Sequence, residues 1–134
     1  MVETDFDEWL HATYTETQGF TLLMVLVRAA EGRIDLLRSA YLHVIGDDLG
    51  WQDMRHHLDG SGTAWNAVVM FRAGREGLVA DAIAKDRLDA LMRTMNGDRT
   101  LIRDGEFYNR DGLNLRLDDA EPQPAVLNQP PILN

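Results

Sequence analysis

Apolar residues near the start of the chain recur at steps of three and four: Phe6, Trp9, Leu10 and Tyr14 share one side of a helix, behind Thr4 and Asp5. Asp7 and Glu8 place carboxylates in the first turn, where helix N–H groups lack partners. The spacing predicts a helix ending near Gly19. The next run, Phe20 to Ala29 (FTLLMVLVRA), is apolar on every side, so its periodicity suits a buried strand and a buried helix alike. Its length, the bracketing Gly19 and Gly32, and Val25 and Val27 favour a strand. From Arg33 onward Ile34, Leu37, Tyr41, Val44 and Ile45 fall on one helical face, with Gly46 as a stop, and this predicts a second helix.

A short third helix is expected within 47–59, beginning near Trp51, with Trp51, Met54 and Leu58 turned to the core. Gly60-Ser61-Gly62-Thr63 then turns the chain into a strand over 64–72, where β-branched and aromatic residues concentrate. Ala84, Leu88, Leu91 and Met95 align on a further helix, closed by Asn96-Gly97. On its other side Asp81, Lys85, Asp89 and Arg93 form a solvated ladder of alternating charge.

Asp104-Gly105, between Leu101-Ile102-Arg103 and Glu106-Phe107-Tyr108, has the sequence of a two-residue hairpin turn. A second turn at Asn109-Arg110-Asp111-Gly112 leads to Leu113, Leu115 and Leu117 in strict alternation, which predicts a three-strand meander. Every proline lies beyond Leu117. Proline cannot continue a helix or a central strand, so 118–134 is expected to be an extended or partly disordered tail. Val126, Leu127, Ile132 and Leu133 also suit docking of that tail on its own core or on a neighbouring copy. The expected architecture is a single α+β domain over 1–117. It has an antiparallel sheet with a C-terminal three-strand meander, helices packed on one face, and a Pro-bearing C-terminal tail.

Charge narrows the function classes. Lys and Arg number 13 against 22 Asp and Glu, a net charge of −9 that repels phosphate backbones, so no nucleic-acid partner is expected. With no cysteine, thiolate chemistry is excluded. The acidic start lacks the positive charge of a secretory signal, and the apolar run Leu22 to Val27 is far short of the roughly 20 residues a membrane span needs. The expectation is a cytoplasmic protein with no membrane partner.

DDLGWQDMRHHLDG (47–60) is the densest collection of candidate chemistry. Adjacent residues on a helix diverge by about 100°, so His56 and His57 cannot close on one ion. Asp53 and His57 stand one turn apart and can pair, as a general base and its orienting carboxylate would. A metal would need His43 or His11 brought in by the fold, and no ligand spacing supports that, so neither metal nor cofactor is expected. A calcium loop at 107–118 fails because Phe107 would occupy its first ligand position. Ser61 precedes a strand where a hydrolase nucleophile would follow one. The functional expectation is a non-enzymatic protein-interaction or regulatory module, engaging a protein partner or a second copy. The alternative is a small-molecule-binding protein or hydrolase-like enzyme with a pocket near 47–59, using His57, Asp53 and His43.

Overall fold

The computed structural model describes residues 3–117; the tail predicted for 118–134 lies outside the described residues. Thr4 opens α1 (Asp5–Thr17) with a capping box: its hydroxyl accepts from the Asp7 N–H at 3.1 Å, and its own N–H donates to the Asp7 carboxylate at 2.9 Å. Gln18 in the left-handed region ends that helix, and β1 (Phe20–Ala30) begins two residues later. β2 (Arg33–Val44), α2 (Trp51–Asp59), β3 (Ala67–Arg72), α3 (Asp81–Gly97), a 3₁₀ helix (Arg99–Asp104) and β4 (Glu106–Asn109) follow. All pairings are antiparallel in the order β2-β1-β3-β4, so the chain is α+β with an antiparallel sheet.

The helix expected from Arg33 is instead β2. Glu31 and Gly32 both have positive φ (55° and 77°), the two-residue turn that matches strand twist, and they fold Arg33 directly onto Ala30. The strand escapes a period-two reading because it is lined with apolar residues on both sides. A bulge also interrupts it: Val27 pairs with Leu36 but Leu26 with Arg38, so Leu37 is the extra residue. Ile34 and Leu36 therefore join one core cluster, while Ala40, Leu42 and Val44 join the other.

Helices cover both faces of the sheet, not one. Phe20, Leu22, Met24 and Leu26 of β1 pack with Phe6 and Leu10 of α1 and with Trp51, Met54 and Leu58 of α2. Alternate residues Val25 and Val27 meet Met95 of α3, Ile102 of the 3₁₀ helix and Leu117, and Leu23 meets Leu88. This two-sided cover is why β1 carries no polar residue on either face until Arg28 except Thr21.

The C-terminal meander does not form. Asp98 accepts from the Thr100 N–H at 3.0 Å and starts the 3₁₀ helix, which takes up Leu101-Ile102-Arg103. Phe107 consequently pairs with Val69 of β3 rather than with Ile102. Gly105 lies so close to β3 that a Cβ there would sit 2.8 Å from the Met70 carbonyl and the Phe71 ring. The turn at Asn109–Gly112 does form, but the return strand shrinks to one bridge, Tyr108 to Asn114.

Tyr108, 1% exposed, lies amid Phe6, Trp9 and Trp51, and its hydroxyl has no hydrogen-bond partner among the described residues. Burial, with the Glu106 and Asp5 carboxylates adding to it, pushes the phenol far above its ordinary value of 10.0. The folded state thus keeps the proton that the unfolded chain gives up above pH 10, so stability is intact below that pH and falls as pH rises through it. Tyr108→Phe removes the unpaired hydroxyl and is expected to raise stability by about 1 kcal/mol at neutral pH. The same variant should flatten the alkaline decline, as urea titrations at pH 7 and pH 11 will show.

Candidate functional site

α2 begins where the Trp51 N–H donates to the Asp7 carboxylate at 2.8 Å and the Gly50 N–H to Asp53 at 3.2 Å. Asp53 therefore closes its own helix, and among the described residues no ion pair joins it to His57. The buried Trp51, Met54 and Leu58 seat the helix on the sheet, and the Trp51 indole donates to the Arg110 carbonyl at 2.9 Å. Asp59 accepts from the Arg110 guanidinium at 2.9 Å and the Trp65 indole at 3.1 Å. Arg110 also lies 4.3 Å over the Trp65 ring, and its hydrogen bond holds the Asp59 carboxyl below the usual range. The C-terminal end of α2 is thereby fixed.

His43 is remote from this helix. Residues paired across a ladder share a face, so His43 opposite Thr21 points away from the side where Met24, Ala40 and α2 meet. Its Nε2 lies 2.6 Å from Asp81 and its Nδ1 2.8 Å from the Thr21 hydroxyl, which itself accepts from the Val79 N–H at 3.0 Å. One arrangement satisfies every group: Thr21 donates to Nδ1, and Nε2–H donates to Asp81. This chain ties the start of α3 to β1 and β2, and the fully buried Thr21 presents no nucleophile to solvent. Thr21→Val would strand the Val79 N–H and is expected to cost about 1–3 kcal/mol in urea denaturation. The structure thus does not gather His57, Asp53 and His43. His11 stands elsewhere again, beside Glu3 at 3.9 Å on α1.

What does surround the C-terminal end of α2 is a groove of about 420 Å³, open to solvent. Met24 and Leu26 of β1, Ala40 of β2 and Leu58 of α2 form its apolar floor and wall, while Arg38, His57 and Ser61 stand around it. The side chains of Arg38 and His57 make no hydrogen bond or ion pair among the described residues. A helical reading of 33–45 conceals Arg38 and Ala40 as groove residues; Glu31-Gly32 between two apolar runs is the signal that reveals them.

Beside the groove runs the outer side of β2, the end strand of the sheet. The opposite end is protected: β4 is four residues long, and the 112–115 return crosses it, with the Leu115 N–H donating to the Phe107 carbonyl at 2.7 Å. Arg99 donates to the Ile34 carbonyl at 2.8 Å, and the bulge bends the strand at Leu37. Past the bulge, no hydrogen bond outside the β1 ladder reaches the main chain of 38–44 among the described residues. That stretch, RSAYLHV, has no proline and no carboxylate, and the 68%-exposed Ile45 follows it. No described helix is long and apolar enough to cross a membrane. No family model matches this chain, and neither the curated proteins nor the solved structures contain one significantly similar to it.

Proposed function

We propose that the protein is an interaction module that takes up an extended segment of a partner protein as an added strand on the 38–44 edge of β2. The observation that supports this reading is that edge, to which no described residue outside β1 bonds. A row of main-chain donors and acceptors without partners is a template for another strand, and proteins with no use for one cover it, shorten it or interrupt it with charge. Here β4 and the first half of β2 carry such protection, and, among the described residues, 38–44 has none beyond the single charge of Arg38. The groove alongside would accept alternate side chains of the incoming segment. A second copy of the chain could supply that strand through its own β2, which would make the module a homodimer.

The test is backbone chemistry on the partner's side. Amide chemical shifts should move at 38–44 when an extended peptide of alternating threonine and apolar residues is added. The same peptide N-methylated at every residue, which has no N–H left to donate to a ladder, should move none of them. Equal shifts with both peptides, or shifts confined to other surfaces, would overturn the proposal.

A further inference from the structure

The groove bears on what kind of segment the edge selects, an inference that rests on the strand-addition reading. Leu26 pairs with Arg38 and Met24 with Ala40, so Arg38 and Ala40 point to the same side of β2, two residues apart, next to the apolar floor. A strand laid outside β2 presents every second residue to that side, with opposed Cβ atoms about 5 Å apart. One such residue falls over Ala40, whose methyl group leaves the groove open, and the next falls beside Arg38. We infer that the bound segment is acidic and apolar by turns: an apolar side chain enters the groove over Ala40, and a carboxylate two positions away meets Arg38, within reach of the His57 imidazole.

Charge complementarity supports this partner chemistry over a basic one. Arg33, Arg55, Arg72, Arg87 and Arg110 each meet a carboxylate of the chain. Arg38 meets none among the described residues, although acids outnumber bases 22 to 13. It stands where an apolar groove adjoins the outer side of the end strand of the sheet. A lysine in the incoming segment would face this guanidinium across the ladder and be repelled.

The probe is a fluorescein-labelled peptide, Thr-Leu-Thr-Asp-Thr-Val-Thr, read by anisotropy beside two twins, one with lysine for the aspartate and one N-methylated at every residue. The parent is expected to bind about fivefold more tightly than the lysine twin, and the exposed Arg38→Glu should invert that order without loss of fold. Equal binding by parent and lysine twin, with the N-methylated twin still failing, overturns the charge inference and leaves strand addition standing. An N-methylated twin that binds as well as its parent overturns strand addition itself. Failure of all three peptides to bind overturns both.

Discussion

Gly112→Ala is expected to lower the unfolding free energy by about 3 kcal/mol, a large part of the roughly 5–15 kcal/mol that holds a domain of this size together. Two effects add. Gly112 has φ of +77°, where a side chain costs about 1–2 kcal/mol through contact with its own carbonyl. The new methyl group would also stand 2.8 Å from the Trp51 ring and 2.9 Å from the Thr4 hydroxyl, closer than any packed carbon sits. Neither neighbour can retreat. Thr4 is held in the capping box of α1, and Trp51 is packed against Phe6, Trp65 and Tyr108. A urea titration of the purified variant measures the loss through its midpoint, with an unchanged slope expected.

Trp51→Ala is expected to cost about 3–5 kcal/mol, because a 1%-exposed indole leaves a void that fixed neighbours cannot close and the Arg110 carbonyl loses its donor. The two substitutions should couple. With the indole gone, the methyl group of Gly112→Ala has space on that side, and its cost should fall by about 1 kcal/mol, the backbone part and the Thr4 contact remaining. A double-mutant cycle reads this as a coupling of about 1 kcal/mol; strict additivity would show that the close approach of Gly112 to Trp51 is not what makes the glycine necessary. The consequence reaches the groove, since Trp51 seats α2, and α2 carries Leu58 and His57 to its wall.

Elements with a single buried stripe are legible in the amino-acid pattern. Thr4, Asp7 and the Phe6–Leu10 spacing mark α1, and Ala84, Leu88 and Met95 mark α3. β1 is harder to read, and its valines and flanking glycines point to the strand that forms. β2 imitates a helix, because a strand partly buried on two faces and shifted by a bulge places Ile34, Leu37, Tyr41 and Val44 at helical intervals. Asp104-Gly105 has hairpin chemistry, but Asp98 caps a 3₁₀ turn first, a local competition that spacing does not weigh.

The site is less legible than the fold. Asp53 and His57 do stand a turn apart, yet the carboxylate is spent on the Gly50 N–H. His43 meets Asp81 across 38 positions of sequence, a pairing only the packing of α3 on the sheet creates. Of His57, Asp53 and His43, His57 alone borders the groove, and Arg38 and Ala40 reach it from a strand that the spacing disguises.

Amide hydrogen exchange along β2 in dilute protein is the most direct test of the open edge. Amides of Leu22–Val27 in β1, flanked by paired strands on both sides, should be slow. Within 38–44 the amides should alternate, those bonded to β1 slow and those facing outward exchanging at rates near those of exposed loops. Adding the acidic peptide should slow the outward set. Uniform protection of 38–44 in the free protein at every dilution would mean that the edge is already covered, and would contradict strand addition.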